Sequence, residues 1–338
     1  MGYSISILNN IRANASADYQ ARIPEATRTN IAQIGNALQT YELCFNEFAN
    51  ALIHKIGKTT IESKLFKNKL AQFKSGAILT QQDVEEIFVD MAKGATAYDA
   101  DGKNPLGRRT DDNVKVIYHR MNRQDCYELT IGDIDFLRVF RNESTLDAFI
   151  ASKINAVYSR AAHDEWLHMK ELLATYKKPE TEDIGYFDYE VPVIANGDAE
   201  QTAKAFVKTL RKAVQDVGFA STQYNAMGVM TWANPEDLVL LVNKDVLAEV
   251  DVEVLAKAFN MGKTDIQTQI VVMDDFGSLT DTYGLLIDKS FFKVFDTLST
   301  MRTQVNGQGL FTNYFYHVHQ ILSLSPFKTA VRLKVATA

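Results

Sequence analysis

Chemistry in a chain begins with its titratable side chains, and two pairs of the six histidines stand close together. His163 and His168 flank Glu165, a metal-like set by residue type, but the two imidazoles sit at i, i+5. Two ligands on one helical face need i, i+4, as in HExxH, so this spacing turns them apart around the axis. His317 and His319, at i, i+2, face the same side of a strand, yet no third ligand is identifiable and ordinary strand histidines are expected. The carboxylate pairs Glu85-Glu86 and Asp274-Asp275 are of a kind common on solvated surfaces, with nothing to mark one partner as acid and the other as base. The GQG at 307–309 lacks the preceding buried strand and following helix of a dinucleotide fingerprint, and neither GxxxxGK[ST] nor GxSxG occurs. The reading therefore names no catalytic, cofactor-binding or metal-ligating residue and expects no cofactor. A cytosolic α/β enzyme, the alternative of a different class, would require a pocket with convergent titratable groups.

A different kind of site is suggested between Glu62 and Ile131. EEIFVDMA alternates Ile87, Val89 and Met91 as a half-buried strand does, and VKVIYHRMNRQDCYELTI resumes with Val114, Val116 and Tyr118. Between them GATAYDADGKNPLGRRTDDN is a polar loop with both charge signs. Two strands around a long tip make a projecting hairpin, which has few internal contacts and an exposed edge. Its length implies that it is ordered by lying on something else. Arg108, Arg109, Asp111 and Asp112 stand at the tip, where any single surface pair is worth only about 0–1 kcal/mol.

These residues need elements to carry them. The longest helix signal is Ser144–Lys178, within a run from Asp133 that contains neither Gly nor Pro; Ser144 and Asp147 suit its start, and Pro179 stops it. Its apolar stripe drifts from Leu146, Phe149, Ile150, Ile154 and Val157 to Trp166, Met169, Leu172, Leu173 and Tyr176, so the two ends touch different neighbours. Residues 1–61 read as a polar arm that turns helical after Pro24, with Gly57 closing the helix. The acidic PETEDIG at 179–185 reads as a domain boundary. Beyond it come a strand (YFDYEVPV), an amphipathic helix ended by Gly218, the doubly buried LVLLV strand, a helix over Asp245–Met261 and further strands, an α/β or α+β region from about 186 to 300. The last segment turns at Asn306-Gly307-Gln308-Gly309 into antiparallel strands expected to return over the long helix.

Bulk properties narrow the class. A net charge of -6 and pI near 5.6 exclude a generic nucleic-acid binder, which needs a basic face. No apolar run reaches membrane-spanning length, and MGYSISILNN lacks the features of a signal peptide. Cys44 and Cys126, with no CxxC, read as reduced, partly buried thiols.

The order of parts, with the strings NPEDLVLLVNKDVLAEVDVEVLAKAFNM at 234–261, IGNALQTYELCFNEFANALIHKIG at 34–57, FKSGAILTQQDVEEIF at 73–88 and GLFTNYFYHVHQILSLSPF at 309–327, resembles the major capsid proteins of small short-tailed bacteriophages. The resemblance covers nearly the whole chain. It implies an α+β chain with the Johnson fold of tailed phages, herpesviruses and encapsulins: an N-arm at 1–61, an E-loop hairpin within 62–131, a peripheral domain at 132–185 and 301–338 holding the spine helix at 144–178, and an axial domain at 186–300. It further implies a structural shell protein forming pentamers and hexamers around double-stranded DNA in an icosahedral or prolate head, with Arg108, Arg109, Asp111 and Asp112 as the candidates for salt-sensitive contacts between subunits. The implied partners are itself, a separate scaffolding protein, the portal and other head proteins, with no membrane. The implied locations are the virion capsid and, before and during assembly, the host bacterial cytoplasm. Some relatives carry an added immunoglobulin-like domain after the last strand; the sequence stops at Ala338 and none is expected. An encapsulin-like compartment shares the architecture and would enclose protein cargo in place of DNA.

Overall fold

The computed structural model describes residues 3–41, 43–49, 51, 66–78, 83–91, 98, 100, 114–134, 143–192, 199–249 and 270–336. In chain order the helices are α1 (Tyr3–Asn14), α2 (Ala17–Arg22), α3 (Ile31–Thr40), the spine helix α4 (Glu143–Ala174), α5 (Ala199–Val217) and α6 (Lys244–Glu249). The strands are β1 (Gly76–Ala77), β2 (Val84–Val89), β3 (Val114–His119), β4 (Arg123–Gly132), β5 (Phe187–Val191), β6 (Leu238–Asn243), β7 (Ile270–Met273), β8 (Thr282–Asp288), β9 (Phe292–Asn306), β10 (Phe311–Leu324) and β11 (Ala330–Val335). They form sheets of order β1-β9-β10-β4, β5-β11-β8-β6-β7 and β2-β3. The chain divides into two units, residues 1–68, 122–166 and 296–320 in one and 69–121, 167–295 and 321–338 in the other.

The first unit corrects the expectation of a polar arm at the start of the chain. Residues 3–14 are helical, and Ile5, Ile7, Leu8 and Ile11 are buried in one core with Tyr19, Ile31, Ile34, Leu38, Phe48, Ile131, Met301 and Tyr314. The polar residues that suggested an arm satisfy backbone groups instead. Asn9 Nδ2 donates to Ala26 O at 3.0 Å while its Oδ1 accepts from Ala26 N at 2.6 Å. Arg12 Nε donates to Ile23 O at 2.7 Å. Ser16 caps α2, its Oγ accepting from Tyr19 N, and donates to Glu47 of the helical stretch 43–49.

In the same unit β10 runs antiparallel to β4, from Phe311 opposite Gly132 to Gln320 opposite Arg123. At that end a buried polar network joins both strands to the spine helix. Arg123 donates to Gln320 Oε1 at 2.6 Å, Asp125 Oδ2 at 2.6 Å and the Tyr127 hydroxyl at 2.8 Å. Gln320 Nε2 donates to Glu165 Oε2 at 2.5 Å and Asp296 Oδ1 at 2.6 Å, and Asn68 Nδ2 reaches Glu165 Oε1 at 2.7 Å. With Tyr158 packed edge-on against Tyr316 at 4.8 Å, the expected return of the C-terminal strands onto the long helix is observed. Removing one member of such a network leaves buried groups unpaired, which costs more than the net worth of the bond.

The second unit is built on the five-stranded sheet. β6 runs parallel to β7, β5 parallel to β11, and β8 lies antiparallel between β6 and β11. Leu238–Val242 is wholly buried, as the continuous LVLLV run requires. Phe206, Leu210, Val214 and Val217 of α5 close one face against Leu240, Val242, Leu286, Val331 and Leu333. Each fully buried side chain of this kind contributes about 1.5–3 kcal/mol. Gly284 of β8 is required by close approach, since a Cβ there would lie 2.9 Å from Leu241 O.

Three boundaries differ from those read in the sequence. The spine helix ends at Ala174 and not at Lys178: Thr175 Oγ1 donates to Leu172 O at 2.8 Å, and Tyr176 turns inward against Tyr186 and Phe291, both at 4.9 Å. PETEDIG is a tight excursion closed by the Lys177–Ile184 bridge inside one unit, and the chain divides between Trp166 and Leu167 instead. Finally, the chain passes to the second unit after Gln320 and β11 completes the five-stranded sheet, so 321–338 do not belong with 301–320. The helix expected over Asp245–Met261 is seen as α6; its remainder and Gly57 lie outside the described residues.

Candidate assembly surface

The strand pair expected at the base of the hairpin is present, while nearly all of the expected tip lies outside the described residues. β2 and β3 pair antiparallel from Val84 opposite His119 to Val89 opposite Val114. Alternation then sorts the side chains by face. Glu85, Ile87 and Val89 with Val114, Val116 and Tyr118 share one side, while Val84, Glu86 and Phe88 with Lys115, Ile117 and His119 share the other. The first set, expected to be half-buried, is the outward one: Ile87 is 58% exposed, Val89 63% and Tyr118 56%. Strand periodicity fixes which residues share a face but not which face turns inward, and here Glu86 and Phe88 win that position.

The inward face anchors the hairpin within its own unit. Phe88 stacks on Phe327 at 5.3 Å, Lys115 Nζ donates to Met227 O at 2.9 Å, and Asp90 Oδ1 accepts from Met230 N at 3.1 Å. Glu86 accepts from His119 Nε2 and Lys293 Nζ, each at 3.1 Å, and from Ser325 Oγ at 2.9 Å. Burial pushes the Glu86 carboxyl up, but the His119 bond, the Lys293 charge and the Ser325 hydroxyl outweigh it and hold it below the ordinary carboxylate value. At this end of the hairpin Phe88, Val89, Met91, Met230, Trp232 and Phe327, with Asp288 and Lys328, line a cavity of about 290 Å³. The result is a strand pair whose outward face is mostly apolar, Glu85 apart, and whose inward face is held by polar bonds and the Phe88–Phe327 stack.

The sequence-derived candidates fare differently. Arg108, Arg109, Asp111 and Asp112 lie outside the described residues. His317 Nε2 is 3.9 Å from Cys126 Sγ, and the His317 and His319 rings stand perpendicular at 6.4 Å. His163 lies edge-on to Phe66 at 5.2 Å and His168 is exposed. Among the described residues no group of three or more His, Cys, Asp or Glu is placed to hold a metal ion. Cys44 is buried, whereas Cys126 is exposed and not partly buried as expected. Its thiol is pushed up by desolvation and the Glu128 charge, the wrong direction for a thiolate nucleophile. Asp274 and Asp275 pair with Lys170 at 3.3 and 2.9 Å. The Glu86 cluster escaped sequence reasoning because its members come from positions 86, 119, 293, 323 and 325. Its only signal was a glutamate and a histidine on strands otherwise rich in apolar residues.

A model of the Phi29-like phage major capsid protein family matches residues 8–334. The chain belongs to that family. The major capsid protein of Bacillus phage B103 is 36% identical over 332 residues, covering 97% of this chain and 72% of the relative. That of Streptococcus phage Cp-1 is 29% identical over 342 residues, covering 96% and 92%. In three dimensions the chain resembles the capsid structure of Staphylococcus phage Andhra, with TM-score 0.63 and 11% identity over 81% of this chain and 85% of that one. It also resembles the mature capsid of bacteriophage PhiM1, with TM-score 0.52 and 10% identity over 82% and 90%. The fold is thus the α+β Johnson fold of phage capsids. As a family member the protein is a structural component of the capsid shell and not an enzyme, and it associates with itself.

Proposed function

We propose that this major capsid protein closes into pentamers and hexamers to build an icosahedral or prolate head around double-stranded DNA, with the β2–β3 hairpin as its E-loop lying on a neighbouring copy. The observation that carries this reading is the outward face of the hairpin, where Ile87, Val89, Val114, Val116 and Tyr118 are open to solvent on a strand pair that has a buried polar anchor on its other side. A lone domain would bury or blunt such a ribbon. A second copy of the chain, repeated around a closed ring, is the partner that a shell protein always has at hand. In this reading residues 1–61 form the N-arm region, 122–166 with 296–320 belong to the peripheral domain, and 167–295 with 321–338 to the axial domain.

The net charge of -6 suits a wall against which DNA packs without adhering. A separate scaffolding protein directs closure, the portal and other head proteins join at defined vertices, and the subunit waits in the host cytoplasm before assembly. The charged tip adds the salt-sensitive part of the contact through Arg108, Arg109, Asp111 and Asp112. Deleting Thr96–Thr110 tests the hairpin's role: a folded, soluble subunit that forms no closed shells is expected, and normal shells would refute it. Arg108→Glu with Arg109→Glu is expected to shift the salt dependence of assembly; an unchanged dependence would assign both to solvent.

A further inference from the structure

We propose that Glu86 and His119 are the positioning pair of the hairpin, fixing the direction in which its apolar face meets a neighbouring copy and so the uniformity of the closed shell. The inference rests on the assembly role given to the hairpin above. Glu86 on β2 and His119 on β3 share the inward face at the hairpin base, two register positions apart. Their partners all belong to the sheet beneath: Lys293 on β9, Ser323 in β10 and Ser325 just beyond it. Every bond in the cluster therefore either closes the hairpin or ties it to the sheet.

The carboxylate fixes one end of the cluster. The carboxylate can only accept, so His119 Nε2 donates to it, and Nδ1 meets Ser323 Oγ at 2.7 Å. With the His119 side chain 1% exposed, a swing of the hairpin would take Nδ1 from Ser323 and the Glu86 carboxylate from Lys293 and Ser325, leaving buried polar groups unpaired. Apolar contacts alone would not prevent it, because they are non-directional and tolerate sliding. The Phe88–Phe327 stack holds the hairpin down; the polar pair fixes its angle. Hexamers and pentamers demand that many copies present the same face at nearly the same angle, so a loosened base broadens the set of contacts that can form.

The test uses the full chain. Glu86→Gln and His119→Ala are expected to raise amide hydrogen exchange across 84–89 and 114–119 at least tenfold in the unassembled subunit and to leave exchange in β6, β8 and β11 unchanged. Electron microscopy should then show open, tubular or mixed-size products in place of uniform shells. His119→Gln, which restores a donor toward Glu86, should recover uniform shells in part. Uniform closed shells from both variants would overturn the proposal, whatever the hairpin exchange shows. Exchange rising equally throughout the five-stranded sheet would overturn it as well, by making the cluster a source of general stability. The Thr96–Thr110 deletion separates the two levels: if it blocks closure while the Glu86 and His119 variants close normally, the positioning role fails and the hairpin's assembly role stands.

Discussion

Ile87 and Val116 face each other directly across the hairpin on its outward side, with Ile87 58% and Val116 42% exposed. Replacing them together by Ile87→Lys and Val116→Glu makes that face polar and leaves the hairpin intact, because opposite charges at directly opposed strand positions contribute roughly 0.2–1 kcal/mol. In the isolated subunit the change should stay within about 0.5 kcal/mol, a shift of no more than about 2 °C in unfolding temperature for a chain of this size. In the shell the cost is different. Full burial of a Val or Ile side chain is worth about 1.5–3 kcal/mol, so covering the half that remains exposed supplies roughly 0.7–1.5 kcal/mol per residue. Losing two such contributions weakens each contact by about 1.5–3 kcal/mol, or roughly 10- to 150-fold. Since a subunit engages several neighbours at once, the threshold concentration for assembly should rise at least tenfold. Light scattering across a dilution series reads that threshold, and calorimetry of unassembled subunits reads the fold. An unchanged threshold with an unchanged unfolding temperature would refute the reasoning, because the outward face would then touch nothing in the shell.

Arg123→Ala removes the donor shared by Asp125, Gln320 and Tyr127 in a site where Arg123 is 4% exposed. It should destabilise the subunit by about 3–5 kcal/mol in urea unfolding, and a loss below about 1 kcal/mol would deny the network its role. Gly284→Val forces apart β6 and β8, where Leu241 O leaves no room for a Cβ, and should cost about 1–3 kcal/mol of thermal stability. The Glu86 carboxyl, held below its ordinary value of 4.5, gives a pH dependence of definite sign. Its contribution is fully present above pH 4.5 and is lost as the pH falls through the depressed value, when the native carboxylate takes up a proton. Hairpin amide exchange, corrected for intrinsic rate, should therefore rise as the pH falls through that depressed value, and Glu86→Gln should abolish this rise.

Much of the architecture was legible because local pattern and tertiary demand coincide. LVLLV is apolar without interruption and lies buried on both faces; the Phe206–Val217 stripe has the helical period and packs on that sheet; Asn306 closes the β9–β10 turn by accepting from the Gln308 and Gly309 amides. Misreadings arose where two local signals competed. Asn9 and Arg12 made the first helix look like a solvated arm, since composition does not reveal that a polar side chain is matched to backbone groups seventeen and eleven positions away. Alternation in β2 gave the right residues for each face and the wrong face for the interior, because the polar anchor beneath Glu86 is assembled from strands two hundred residues later. Lys177 and Lys178 suited a helix C-terminus, but burying Tyr176 between Tyr186 and Phe291 ended the helix a turn earlier. The assembly surface was legible only as a hairpin; its apolar outward face required the fold.

The central claim is that this chain builds a closed shell from copies of itself. Electron microscopy of the purified recombinant protein, with and without the scaffolding protein proposed above, tests it most directly. Closed icosahedral or prolate shells, or five- and six-membered rings, are predicted. A uniform population of monomers or small dimers under every condition would contradict the account.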